Sequence, residues 1–504
     1  MSDSVQGMTM AETSRLFGEF ERRHALFNRN IRGIPYWHLV RFRVYSTVVL
    51  PQCAHTGCAH PDLGLRAKKG VPSRLRRPFS RLLAKAARLW DFVFHNPMTA
   101  VARRDVLISL APRIVPDPCG SRKIRQIVDP FVGCLKSSYA TCEWQFKGTA
   151  VTKHEGSGRV FKWSCADAVV AAYRKSADFA LLRGEALHEA DRLTVEIESA
   201  FGVRPEPAIL AKSIADALSY AIAAPPVLRK WLKHLQVKCI VVAVAYSFKN
   251  FVLVKTAREM GVATVELQHG TVYPAHLAYN LPIADSPYSP DYFLAWGDWW
   301  VKQIRNFPVR RAVPTGCPFL ENAISRYPRK PNDGPPLVLF ISQGTIGSRL
   351  SELAVGLGRI LGGTCRIVFK PHPNEMRTWR TLYPTLVGSG VEVVEDTTRS
   401  VYFWLAEANA VVGVYSTAMI EGFVWGVKTY VFKSLPGADT MAAFCSGGAA
   451  EYVDSAEDLA LRLRLQFTAD AVGATSFNKA DFFVDHAAAN VAAAIDRIVE
   501  GKEP

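Results

Sequence analysis

Several features that would place the chain in a class at once are missing. No uninterrupted apolar run reaches the ~20 residues a membrane-spanning helix needs. Met1 to Ala11 is polar, so no secretory leader is read there. The ten cysteines are spread over 504 residues, which excludes a small disulfide scaffold. Reduced thiols and a cytoplasmic location are the expectation. No short-period repeat is present, which excludes a solenoid. The chain has neither a Walker A loop nor a complete dinucleotide fingerprint, and no Asp-x-Asp segment near a strand end.

Acidic residues are also in deficit. There are 45 Asp and Glu against 61 Lys and Arg, a net charge of +16. Such a balance favours phosphates, nucleic acid or an anionic membrane face. The excess is concentrated at Arg66, Lys68, Lys69, Arg74, Arg76, Arg77, Arg81, Lys85, Arg88, Arg103 and Arg104, with only Asp62 and Asp91 in or beside that run. Phe79, Leu82, Leu83, Leu89, Trp90, Phe92 and Val93 are interleaved there. That pattern suits either a helix lying on an anionic membrane or a core-facing helix with a solvated basic side. Just before it, Cys53, His55, Cys58 and His60 lack a second ligand pair at finger-like spacing, so they read as a surface loop and no metal is expected.

What is present, at 49% hydrophobic residues, is globular and long enough for two or three domains. Residues 1–104 read as a basic, partly helical extension. It holds one helix around Phe17, Phe20 and Phe27, capped by Thr13 or Ser14. Residues 105–330 read as a first Rossmann-like domain. Its strands are expected at Asp105 to Leu110, Ile124 to Val128, Cys239 to Ala245, Val262 to Leu267 and Tyr292 to Gly297, and a helical stretch at 166–225 ends at Pro225-Pro226. The turn-rich loop Tyr327 to Pro336 marks the boundary. Beyond it, residues 331–504 form a second Rossmann-like domain with five strands, starting at Leu337, Arg366, Val391, Ala410 and Thr429. The fold class is α/β: two Rossmann-like domains facing across a cleft, with an N-terminal helical extension.

The chemistry is expected at strand tips, where open α/β sheets place their ligands. Lys370-Pro371-His372-Pro373 follows an apolar strand. The prolines restrain the backbone around His372, Lys370 can neutralise a phosphate, and His372 can hydrogen-bond one or donate a proton to it. Ser342, Gly344 and Thr345 lie in a strand–loop–helix turn whose free N–H groups suit a phosphate. Ser416 and Thr417 begin another helix, and Glu421 lies one turn along the same face, in reach of ribose hydroxyls. In the first domain the tip is Glu266, Gln268, His269 and Gly270. His269 is the candidate general base, with Tyr273, His276 and Asp298 as further candidates on the acceptor side.

The Leu-Gln-His-Gly, Lys-Pro-His-Pro and Ser-Thr…Glu tips, in that order, resemble bacterial capsule and surface-polysaccharide glycosyltransferases of the GT-B fold. The His-Gly and His-Pro pair is similar to that of CDP-glycerol glycerophosphotransferases, and the HP and Ser/Thr motifs to those of sialyl- and Kdo-transferases that use CMP-sugars. The resemblance spans residues 235–435. It implies that His372, Ser416 and Thr417 bind the donor's phosphate, Glu421 its ribose, and that His269 acts near the acceptor, without metal or cofactor. The chain departs by lacking an Asp/Glu-rich base motif of the sialyltransferase kind, which leaves the base and the sugar open.

The expected partners are a nucleotide-sugar donor, a glycan or lipid-linked acceptor and an anionic membrane surface on the inner face of the plasma membrane, with no specific nucleic acid. Three rival readings remain: a CDP-alcohol polyol-phosphate transferase, a sugar-nucleotide 2-epimerase, and a non-enzymatic basic protein that binds nucleic acid or membrane.

Overall fold

The computed structural model describes residues 8–50, 90, 93–110, 114–116, 123–143, 159–304, 309–329, 334–344, 346–396, 399–468 and 478–504. The Cys53 to His60 segment, Thr345 and most of the basic run lie outside them.

The strands, in chain order, are β1 (Val106–Leu110), β2 (Ile114–Pro116), β3 (Lys123–Arg125), β4 (Tyr139–Glu143), β5 (Arg159–Lys162), β6 (Cys239–Val242), β7 (Ala263–Leu267), β8 (Tyr292–Ala295), β9 (Arg311–Pro314), β10 (Leu337–Ile341), β11 (Arg366–Lys370), β12 (Glu392–Val393), β13 (Ala410–Gly413), β14 (Lys428–Phe432) and β15 (Glu451–Val453). All but β2 and β3 form two parallel sheets, ordered β5-β4-β1-β6-β7-β8-β9 and β12-β11-β10-β13-β14-β15. Helices cover both faces of such sheets, so central strands are apolar along their whole length. Val106–Leu110 and Leu337–Ile341 are buried at every position. The molecule is therefore α/β with two Rossmann-like lobes.

In each lobe the chain runs outward from one strand and then returns to that strand's other side. The reversals lie between β1 and β6 and between β10 and β13. These are the topological switch points, where diverging connections leave a crevice at the carboxyl ends of the strands.

The structure alters several expected boundaries. Ile124 does not start a sheet strand: Lys123–Arg125 pairs antiparallel with β2 as a small ribbon. Asp129 ends the ribbon by accepting the Arg125 backbone N–H at 2.7 Å. Strands β4, β5, β9 and β15 were not foreseen, because they are short and bear charged residues at their ends. Pro225 opens a helix, Pro225–Leu235, rather than closing the helical region. Proline at a first helical position forfeits no hydrogen bond.

The N-terminal helix is Met10–Arg23. Its cap is Thr9, paired with Glu12 in a capping box, while Thr13 and Ser14 are buried inside the helix. Phe17 and Phe20 share a core with Trp37, Tyr45 and Phe201. Residues 8–50 thus pack onto the first lobe. Glu21 and Arg41 form an almost fully buried ion pair there.

The last helix, Ala487–Val499, returns to the first sheet. Val491, Ala494, Ile495 and Ile498 share a core with Val106, Cys239 and Leu267. By packing, this helix lies with the first lobe, although its sequence follows the second. Two glycines admit the crossing backbone. A Cβ at Gly297 would stand 2.5 Å from the Asp481 carbonyl oxygen, and one at Gly316 (φ +91°) 2.3 Å from that of Val484. Trp299 stacks on Phe444 at 4.4 Å, and the Trp300 indole donates to the Phe482 carbonyl at 2.8 Å, closing the seam between lobes.

Candidate functional site

The second lobe's site is built around the β10/β13 switch point. β10 leads into Ser342 and then into the helix Gly347–Leu361, whose N-terminus has no side-chain cap. The first N–H groups of a helix lack intrahelical acceptors, and its dipole there favours an anion. β11 ends at Lys370. Next to the crevice, β13 leads to Ser416 and Thr417, both half-buried, and to the helix Thr417–Glu421.

Glu375 ties these pieces together. One of its oxygens accepts from the Ser342 hydroxyl at 3.1 Å and from the His372 backbone N–H at 2.8 Å. Its other oxygen, Oε1, is buried without a hydrogen-bond partner among the described residues. It faces Gly344, where a Cβ would lie 3.0 Å away. Ser342 also meets the Tyr383 hydroxyl at 3.3 Å. The phosphate-type loop and the Lys-Pro-His-Pro turn are therefore one unit.

The turn also fixes the His372 tautomer. Nδ1 accepts the Asn374 backbone N–H at 3.3 Å, so in the neutral ring the proton sits on Nε2. Nε2 is then a donor, as phosphate recognition requires. Burial pushes the Lys370 ammonium below its ordinary value. Lys370 has no acidic partner within ion-pairing distance among the described residues, and a cation held without one is costly. Glu421 is buried and accepts from the Tyr402 hydroxyl at 3.1 Å. Its charge helps push the buried Cys317 thiol up, after burial itself, so Glu421 lies close to the segment joining the lobes.

The first lobe's site is the β7 tip. Glu266 is fully buried, and that burial raises its carboxyl to about 8. Its Oε1 accepts from the Ala245 backbone N–H at 3.0 Å and from the Tyr279 hydroxyl at 3.1 Å. His269 is half-buried, with Nδ1 3.4 Å from the Tyr279 hydroxyl and Nε2 3.1 Å from the Tyr246 hydroxyl. His269 also lines a small cavity with Leu267, Gln268, Trp296, Cys317 and Phe319, where the first lobe passes into the second.

Not every expected residue at this tip has spare bonding capacity. Gln268 is used up in holding the tip: its amide donates to the Gly270 carbonyl at 2.9 Å, and its side-chain oxygen accepts from the Trp296 N–H at 2.8 Å. His276 stands beside His269's partners, with its ring 5.9 Å from Tyr246, 5.0 Å from Tyr279 and 5.5 Å from Tyr273. Asp298 is exposed in the first turn of a separate helix, Asp298–Gln303.

Sequence reasoning missed the braces. Phe42 stacks on His276 at 5.7 Å and meets Tyr246 at 4.8 Å. Arg41 donates to the carbonyls of Leu277 and Asn280, pinning the loop that carries His276 and Tyr279. Nothing in the local pattern of residues 41 and 42 signals this, because the partners are more than 200 positions away. Glu375 was within reach, three residues after His372 in a tight turn.

No family model and no curated protein matches this sequence. Among solved structures, the chain is similar to a UDP-GlcNAc 2-epimerase from Neisseria meningitidis bound to UDP-GlcNAc, with 12% identity, TM-score 0.45, and coverage of 79% of this chain and 100% of that one. It is also similar to S. aureus MnaA with UDP, with 9% identity, TM-score 0.46 and coverage of 80% and 99%. A third is the wall teichoic acid polymerase TagF, with 11% identity, TM-score 0.43 and coverage of 84% and 96%.

Proposed function

We propose that this chain is a GT-B-type glycosyltransferase that moves a sugar from a nucleotide-activated donor, CMP-linked as first choice, to a growing surface polysaccharide or lipid-linked glycan. The observation that carries the reading is the β10/β13 switch point, where a helix N-terminus without a side-chain cap, the Nε2–H of His372, and Lys370 without an acidic partner among the described residues stand together. These groups suit a diphosphate or phosphate leaving group.

In this reading the acceptor hydroxyl gives its proton to Nε2 of His269 while its oxygen bonds to the donor's anomeric carbon. The bond from that carbon to the phosphate oxygen breaks. The electron pair leaves with the nucleotide, where Lys370, His372 and the backbone N–H groups of Gly347–Leu361 stabilise the charge. Glu421, with Ser416 and Thr417, is proposed to hold the donor's ribose and phosphate.

An anionic membrane surface is proposed as a further partner. Trp90, Val93, Phe94, Met98 and Val101 are exposed. Trp90 and Phe94 stack at 4.1 Å, between Arg88 and Arg103 of the basic run. Basic residues beside exposed aromatics suit the headgroup region of a bilayer, which would set the protein at the inner face of the plasma membrane.

A melting-temperature screen of CMP, CDP, UDP and GDP tests the donor site, because a ligand of the native state stabilises it by mass action. At least one nucleotide should raise the melting temperature, and no shift with any of them removes the reading. The His-Gly and His-Pro pair also suits a CDP-alcohol donor, and product analysis separates the two: a phosphodiester in place of a glycosidic bond.

A further inference from the structure

Among the described contacts, the hydroxyl and carboxyl groups around His269 fit together in one direction of hydrogen bonding. Oε1 of Glu266 accepts twice, from Ala245 N–H and from the Tyr279 hydroxyl. Tyr279 has one proton, and it goes to Glu266. The contact between the Tyr279 hydroxyl and Nδ1 of His269 therefore needs the proton on Nδ1. A neutral imidazole with Nδ1–H has its lone pair on Nε2, which then accepts the Tyr246 hydroxyl proton at 3.1 Å.

We infer that Glu266 and Tyr279 are positioning residues that lock His269 as its Nδ1–H tautomer, and that the Tyr246 hydroxyl occupies Nε2 in the resting protein, at the place an acceptor hydroxyl takes. The inference rests on the reading of His269 as the base and specifies which nitrogen acts. Two further facts support a dedicated relay. Glu266 sits on a central strand, fully buried, and Oε2 has no hydrogen-bond partner among the described residues, so the carboxyl is maintained against a cost. The Ala245 backbone N–H is a fixed donor to Oε1, so Oε1 stays an acceptor, and the proton that burial favours on this carboxyl sits on Oε2. The loop bearing Tyr279 is also clamped from behind by Arg41, which is itself paired with Glu21.

The charged and titratable groups around the relay are His276, on the same loop as Tyr279; Tyr246, after β6; and the Arg41–Glu21 pair from the N-terminal helices. The Arg41–Glu21 pair is internally neutralised.

The test uses the free, full-length protein and diethyl pyrocarbonate, which acylates unprotonated imidazole nitrogen. Its rate at His269 is followed against pH by site-resolved mass spectrometry. Tyr246→Phe uncovers Nε2 and should speed the reaction several-fold. Tyr279→Phe removes the acceptor that favours the protonated ring and should move the His269 midpoint toward acid by about half a pH unit or more. Glu266→Leu should do the same, while Glu266→Gln keeps an oxygen in place and should restore the parent midpoint.

An unchanged midpoint in folded Tyr279→Phe overturns the relay, as does an unchanged rate in Tyr246→Phe. A Gln variant that shifts as far as Leu also overturns it. Should Glu266→Leu fail to fold, Tyr279→Phe, which deletes a single oxygen, still decides. Because no substrate is needed, the shifts stand or fall apart from the transfer reaction. Shifts without transferase activity would keep the relay and remove the reading of function, and activity without shifts would do the reverse.

Discussion

The two strand tips carry similar motifs, each a histidine beside a turn, yet they use their polar groups in opposite ways. At the β7 tip the polar groups are mostly engaged with one another, Oε2 of Glu266 excepted among the described residues. Gln268 is spent on backbone, Tyr279 on Glu266, and the loop on Arg41. At the β10/β13 tip they are left open. The helix Gly347–Leu361 is uncapped, Oε1 of Glu375 is unpartnered among the described residues, and Lys370 has no acid beside it there. A saturated site holds one group rigidly in place. An unsaturated one is incomplete until an anion with several oxygens arrives. The first suits aiming a base, and the second suits binding a nucleotide phosphate.

The sharpest way to break the comparison is to remove the buried groups of the first tip. The Glu266 carboxyl is raised to about 8 from an ordinary value of 4.5, mainly by burial. Between those values the unfolded chain has lost this proton and the folded chain has kept it, so stability falls as pH rises through that window. Glu266→Gln removes the dependence. Relative to the parent, its stability should rise by on the order of 4 kcal/mol between about pH 5 and pH 8, at 1.4 kcal/mol per pH unit. Denaturant unfolding of both proteins at several pH values measures this, and a constant difference would show that Glu266 is ionised throughout.

Arg41→Ala comes next. It strands the buried Glu21 carboxylate and frees the Leu277 and Asn280 carbonyls. A loss of about 3–5 kcal/mol in chemical unfolding is expected, and nucleotide binding at the second tip should survive at temperatures where the variant stays folded.

The same contrast governs what could be read in the sequence. Most of the second lobe was legible, because its central strands β10 and β13 are continuous apolar runs and each tip follows directly in sequence. Lys370, His372, Ser342 and Ser416 were singled out by position alone, each at or just after the end of an expected strand. The first lobe's sheet was half hidden: β4 and β5 carry charged residues at their ends, and β9 presents an exposed first residue. Its site was only partly visible. His269 and Glu266 stand at a strand end, but Tyr246 reaches them from the turn after β6, Tyr279 from a loop, and Phe42 and Arg41 from the N-terminal helices. Contacts over such separations leave no local period to detect.

Smaller effects sharpen the comparison at the open tip. His372→Ala should lower transfer by about 10²- to 10⁴-fold if the ring acts on the leaving phosphate. The melting temperature should stay near the parent's, since Nδ1 meets only one neighbouring backbone N–H among the described contacts of the ring. Full activity in the variant would remove the leaving-group assignment.

The smallest effect, and the one that most directly opposes the two tips, is expected from Lys370→Met. Burial lowers the Lys370 ammonium below its ordinary value. Below that ordinary value and above the lowered one, the unfolded chain holds the proton and the folded chain has released it, so the parent gains stability as pH rises. Lys370→Met should therefore be slightly more stable than the parent, by no more than about 1 kcal/mol, with the advantage shrinking as pH rises. Glu266→Gln has the opposite slope. A bound nucleotide reverses the order at the open tip, because its phosphate pairs with the ammonium: CMP, CDP, UDP or GDP should raise the melting temperature of the parent more than that of the variant. Equal shifts in both proteins would mean that the lysine does not meet the phosphate, and the asymmetry between a filled tip and an open one would then rest on the glycine loop and His372 alone.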